Sequence, residues 1–257
     1  MTNALSPDVW PTLLIRLGTD GFYFAILHSS TATMPPMAFY AIDETLSMTA
    51  NLKRFVKEQQ WHTQSFQQVE VIVDSERFTL MPLEHFEDEQ AELVFGYNLS
   101  PRENEQIEYN ILSKSNIVVL FGFDRSAAHW LKEQIGPIHL HAEAALLIEQ
   151  FTARQRGQTS QALYAYISAH AMGLYAFQQD KLLSANTQFC SSAADRLYFL
   201  LYLWKQLLFD AEQDTLYLCG ERKIITPIVG QLQKYIRHVI SINEGNILDF
   251  NSFILCE

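Results

Sequence analysis

Apolar and polar positions along the chain form short blocks, and the blocks follow the same order twice. Residues 13–17 (Leu-Leu-Ile-Arg-Leu) and 22–26 (Phe-Tyr-Phe-Ala-Ile) flank Gly18-Thr19-Asp20-Gly21. That pattern predicts two strands joined by a tight turn. Residues 37–42 supply a third short strand, with Pro35-Pro36 keeping the connection extended. Met48, Leu52, Phe55 and Val56 recur at helical spacing within 46–60. In 69–74, Val69, Val71 and Val73 alternate with Glu70, Ile72 and Asp74, a pattern of high strand propensity.

The middle of the chain is more varied. Residues 77–83 read as a strand end or loop leading into a short helix. The five acids between Glu84 and Glu92 read as a solvated helical face. Alternation at Ile107, Tyr109 and Ile111, then a solid apolar block at 117–121, predict a hairpin turning at Ser115-Asn116. Asp124 can cap a helix that places Ala127, Ala128, Leu131 and Ile135 on one side and ends at Gly136-Pro137. A brief strand at 138–141 feeds a helix over about 142–153, buried through Ala144, Ala145, Leu147, Ile148 and Phe151.

After Gly157 the plan restarts. Residues 163–168, 172–178 and 181–189 read as three strands. Ser192 and Asp195 form a capping box for a helix running to about Phe209. That helix is apolar on nearly every side, so burial between layers is expected. A strand at 215–219 ends at Gly220. An amphipathic helix follows through Ile225, Ile228, Val229, Leu232 and Ile236, with Pro227 assigned to its first turn, where a missing N–H costs no bond. Residues 238–242 are a further strand, and 246–257 supply one more. Hairpins combined with helical crossovers give an α/β fold of mixed sheets flanked by helices. The boundary falls at 154–160, dividing a first domain (1–156, including the linking helix) from a second (157–257).

Charge narrows the functions open to this fold. Eighteen basic against 29 acidic residues leave a net charge of -11, which repels a phosphate backbone. The densest basic groups, Lys53-Arg54 with Lys57 and Glu221-Arg222-Lys223, read as exposed helix ends. Cys190, Cys219 and Cys256 are far apart and without a Cys-x-x-Cys pair, the pattern of buried reduced thiols in a cytoplasm. The apolar run at 197–204 is too short for a bilayer that needs about 20 residues. No basic-then-apolar leader opens the chain. A cytoplasmic protein that binds neither nucleic acid nor membrane is expected.

The doubled order resembles the actin-like ATPase superfamily of actin, heat-shock chaperones, sugar kinases and pilus and secretion assembly proteins. The segments Phe78-Thr79-Leu80-Met81-Pro82, 198–204 and Leu216-Tyr217-Leu218-Cys219-Gly220 resemble a bacterial family of unknown function, mainly from Bacteroidetes, with that fold. The resemblance implies two ribonuclease-H-like domains with a nucleotide cleft. It also implies four local signatures. The first hairpin of active members carries Asp-x-Gly-Thr, and the matching residues here are Arg16, Leu17, Gly18 and Thr19. A guanidinium has only donors and cannot ligate Mg²⁺. The second hairpin corresponds to residues 166–174, which lack the Asp and all but one Gly. His141-Ala142-Glu143-Ala144-Ala145-Leu146 matches the linking helix and is read as hinge packing. Residues 216–227 follow the adenosine signature with one of its two glycines, Gly220.

These comparisons leave Gly18, Thr19, Asp20 and Gly220 as candidate nucleotide-binding residues, with no catalytic and no metal-ligating residue assigned. Asp74, at a strand end, is read as turn chemistry rather than as a base. His139 and His141 lie two apart with Glu143 following; a metal site wants a third convergent ligand, and the grouping is read as chance. The expected function is a non-catalytic actin-like scaffold or interaction module with a protein partner and no cofactor. The alternative is an ATPase or small-molecule kinase using ATP with Mg²⁺. A nuclease would need a carboxylate where Arg16 stands.

Overall fold

A computed structural model describes residues 11–19, 21–28, 37–61, 65–220 and 222–242. The first half opens with β1 (Thr12–Leu17), β2 (Phe22–Leu27), β3 (Ala38–Tyr40), α1 (Met48–Gln59) and β4 (Gln68–Val73). An insertion follows: β5 (Phe78–Pro82), two single 3₁₀ turns, α2 (Ala91–Asn98), β6 (Glu105–Leu112) and β7 (Ile117–Asp124). Helix α3 (Arg125–Ile135), β8 (His139–Ala142) and α4 (Glu143–Gln155) complete it. The second half is β9 (Gln161–Ile167), β10 (Ala171–Gln178), β11 (Lys181–Phe189), α5 (Ala193–Gln206), β12 (Thr215–Gly220), α6 (Arg222–Leu232) and β13 (His238–Ile242).

The duplication read from the sequence is present in the topology. The sheets run β3-β2-β1-β4-β8 and β11-β10-β9-β12-β13, and the insertion forms a third, β5-β7-β6. In both large sheets the hairpin strands pair antiparallel and the crossover strands parallel. The two turns match as well: Gly18 N–H donates to the Gly21 carbonyl, and Ser168 N–H to the Ala171 carbonyl, each at 3.0 Å. Two compact units result, one of residues 1–79, 86–110 and 119–143, the other of 80–85, 111–118 and 144–257.

Each unit has its own core. In the first, Phe55 packs between Phe22 and Trp61, and Leu13, Ile15, Val71, Val119 and Phe121 are fully buried. In the second, Leu163, Ala165, Leu200, Leu216, Leu218 and Ile228 form the centre. On the opposite face of that sheet, Tyr164 is stacked between Phe151 and Tyr217, at 4.3 and 4.6 Å. Burial there drives the Tyr164 hydroxyl's pKa far above its usual value.

Several local expectations change. Helix α5 buries only Arg196, Leu200 and Trp204 fully, and Tyr198 and Tyr202 stand exposed and stacked. Two rings one turn apart can shield each other without a covering layer. Pro227 lies in the interior of α6 rather than its first turn, so the helix forgoes the bond that residue would have donated. Cys190 and Cys219 are buried and in no disulfide among the described residues, whereas Cys256, Pro35-Pro36 and the strand read at 246–257 lie outside the described residues. No helix among the described residues is long and apolar enough to cross a membrane.

Candidate functional site

The first hairpin ends beside the polar row of its own sheet. Register places Arg16 of β1 opposite Tyr23 of β2 and Ile72 of β4, and Ile72 opposite His141 of β8. Glu70, Asp74, His139, His141 and Glu143 therefore share one face with Arg16, because strand residues two apart point the same way. Charges on a buried face must find partners, and here they do.

Arg16 Nε donates to Glu143 Oε1 at 2.6 Å, and Nη2 donates to Glu143 Oε2 at 3.3 Å and to Asp74 Oδ2 at 3.4 Å. Its guanidinium also lies 5.4 Å from the Tyr23 ring centroid. Arg16 and Glu143 are 8% and 4% exposed. Asp74, just past the end of β4, is held further by its N–H to the Leu17 carbonyl. The planar fork of arginine fits two carboxylate oxygens at once. A permanent cation thus stands at the position that matches the superfamily's carboxylate, and among the described residues of this hairpin none offers a carboxylate to a divalent metal.

Sequence reading grouped Glu143 with His139 and His141, and the structure separates them. Glu70 of β4 accepts from both histidines, at 2.9 Å from His139 Nδ1 and 2.6 Å from His141 Nε2. Burial pushes the Glu70 carboxyl up, but the two histidine hydrogen bonds outweigh it and hold its pKa below the usual range. Among the described residues no three His, Cys, Asp or Glu side chains converge as metal ligands.

Above the turn lies a cavity of about 290 Å³ within the first unit, lined by Gly18, Thr19, Met48, Asp74, Arg77 and Glu105 among others. Of the candidate residues, Gly18 and Thr19 are on its wall. Asp20 lies outside the described residues, and Gly220 belongs to the other unit. The Gly18 N–H is already spent on the turn. Arg77 grips Glu105 through two bonds of 2.7 and 2.9 Å, which hold the Glu105 carboxyl below its usual range and raise the guanidinium. Gly122 leaves the space this carboxylate fills. Asp74, Glu76, Glu103, Glu105 and Asp124 share the wall with Arg77 and Arg102, and Asp74 and Glu105 are already paired with arginines.

The second hairpin is closed by different means. Arg196 of α5 sends Nη2 to the carbonyls of Ser168, Ala169 and Cys190, at 3.1, 2.7 and 3.2 Å. Burial raises the pKa of the Cys190 thiol beside it. Gly220 ends β12 at φ +124°, and a Cβ there would lie 2.1 Å from the Ile167 carbonyl oxygen. Close approach of β12 to β9 is thus sufficient reason for its glycine. A polar cleft of about 610 Å³ lies near Gln161, Gln178 and Asp214 of the second unit. The Asp214 carboxylate there is occupied by the N–H groups of Gln161 and Asp210.

The fold is shared with known structures. A Bacteroides thetaiotaomicron protein with an actin-like ATPase fold and unknown function is 38% identical over 100% of both chains, with a TM-score of 0.90. A PilM-PilN type IV pilus biogenesis complex matches in fold alone, at 14% identity and TM-score 0.60, over 93% of this chain and 89% of that one. No curated protein is significantly similar in sequence. The family model described as "Protein of unknown function (DUF3822)" matches residues 11–239. Nearly the whole chain is covered, and the protein belongs to that family, with an actin-like ATPase fold.

Proposed function

We propose that this protein is a non-catalytic actin-like module that serves as a cytoplasmic scaffold for a protein partner and uses no cofactor. The observation that carries the reading is the Arg16 guanidinium held by Glu143 and Asp74. Nucleotide hydrolysis and phosphoryl transfer on this fold depend on oxygen ligands for Mg²⁺ near the first hairpin. Here two acids of that region neutralise an arginine instead. A structure of the same fold is that of a pilus biogenesis complex, which is in keeping with an assembly role. The net charge of -11 disfavours nucleic acid as the partner.

A second reading, an ATP-dependent ATPase or small-molecule kinase, draws on the cavity walled by Gly18, Thr19 and Asp74. Calorimetric titration of the full chain with ATP and ADP, with and without Mg²⁺, separates the two. The scaffold reading expects no saturable heat up to millimolar nucleotide and no phosphate release. Micromolar binding with turnover, lost in Thr19→Ala, would establish the second reading and end the first.

A further inference from the structure

Helix α5 leaves Tyr198 and Tyr202 63% and 52% exposed, with their rings stacked at 5.8 Å. Stacking covers one side of each ring and leaves the rest to solvent. An exposed acid and an exposed base bracket the rings, Asp195 in the first turn and Lys205 in the last. At about 100° per residue all four positions fall within about 80° of arc, so they share one face. The buried Arg196, Leu200 and Trp204 lie on the opposite side. Ser192 donates its N–H and its hydroxyl to Asp195 Oδ2, at 3.2 and 2.7 Å, and these bonds hold the carboxyl below its usual range. Lys205 is in no ion pair among the described residues.

The stripe is its own complement. From either end it runs charge, ring, ring, charge, with 195 and 205, and 198 and 202, evenly placed about position 200. The two end charges have opposite sign. Two copies of α5 laid antiparallel about a two-fold axis at that level bring each Asp195 to the Lys205 of the other copy. The same operation brings each Tyr198 to the other copy's Tyr202. A parallel pairing would instead set like charge on like charge.

We propose that this face of α5 joins two copies of the chain in an antiparallel, two-fold symmetric dimer. Charge complementarity selects a second copy as the occupant, and rings at the centre with ion pairs at the rim is the usual anatomy of a protein interface. Each contact is made twice, and the face is used up by its partner, so association stops at two. One helix face is small beside the roughly 800 Å² per partner of a standard interface, so the dimer is weak and concentration-dependent. The net charge of -11 on each copy opposes approach at long range, a term that physiological salt screens beyond about 8 Å. The pairing does not involve Arg16, Gly18 or Thr19, so its test and the nucleotide titration fail independently.

The test is sedimentation of the full chain at physiological salt, from micromolar to millimolar protein. A shift from monomer toward dimer is expected, with no larger species. Tyr198→Ser with Tyr202→Ser should weaken the dimer about tenfold or more, since buried aromatic anchors dominate such interfaces. Lys205→Glu, which puts an acid at both ends of the stripe, should weaken it by a similar factor. Asp195→Lys puts a lysine at both ends and should do the same. Mixing the Lys205→Glu and Asp195→Lys chains should restore a dimer of one copy of each, because both end contacts then join opposite charges. The tyrosine pair and Lys205→Glu lie outside the Ser192–Asp195 cap and at exposed positions, so their circular dichroism melts should stay close to wild type. A wild-type monomer at every concentration overturns the proposal, as does an open series of larger species. So does a dimer that the tyrosine pair and Lys205→Glu leave intact, or a mixture of the two folded charge variants that stays monomeric.

Discussion

Replacing Arg16 with Met removes the cation while keeping most of the buried stem. Glu143, 4% exposed, then has no counter-ion within the sheet face, and Asp74, with 22% of its side chain exposed, is partly relieved by water. Breaking a buried pair from one side costs about 3–5 kcal/mol. Solvent at Asp74 places this case near the lower end, about 3 kcal/mol. For a chain of this size that lowers the melting temperature by about 6–12 °C and the urea midpoint by about 1–2 M. Adding Glu143→Met should recover most of the loss, because an apolar pair of similar volume often replaces a buried ion pair at little cost. Urea titrations of wild type, both single variants and the double variant form the cycle. A loss under about 1 kcal/mol for Arg16→Met, or additive losses in the double variant, would refute the assignment of a buried, mutually dependent pair.

Further outcomes follow from other residues. The folded pKa of Glu70 lies below its ordinary value of 4.5. Its stabilising contribution is therefore full above that value and is lost as pH falls through the folded pKa. Glu70→Gln should be less stable than wild type at about pH 7, with the gap narrowing as pH falls below the ordinary carboxyl value and through the folded pKa, as read from urea midpoints. Gly220→Ala puts a methyl 2.1 Å from the Ile167 carbonyl oxygen at φ +124°, and a loss of about 2–4 kcal/mol is expected in the same assay. Gly230, in α6 with open space around it, should instead gain about 0.5–1 kcal/mol as alanine.

Much of the fold was legible because it rests on local pattern. Gly18 to Gly21 between two apolar blocks marks a hairpin, and Ser192 with Asp195 marks a helix start that forms as a complete capping box. The restart after Gly157 exposed the duplication, which the two identical strand orders bear out. Exposure was harder to read, since Tyr198 and Tyr202 look buried in a one-dimensional pattern and shield one another instead. The site was half legible. Arg16 stood out as the wrong residue type, but its partners lie 58 and 127 positions away, beyond any spacing rule. A signal was present all the same. Arg16 within Leu-Leu-Ile-Arg-Leu and Glu70 within Val-Glu-Val-Ile-Val are lone charges on otherwise apolar strands, and such charges require partners across the sheet.

The tethered guanidinium also changes how the first unit relates to its surroundings. A cluster of carboxylates filled by a diffusible ion is stabilised in proportion to that ion's concentration. Glu143 and Asp74 carry their counter-ion on the neighbouring strand, so the ion is present at unit occupancy whenever the chain is folded. The charge balance of this pair therefore needs no diffusible ion.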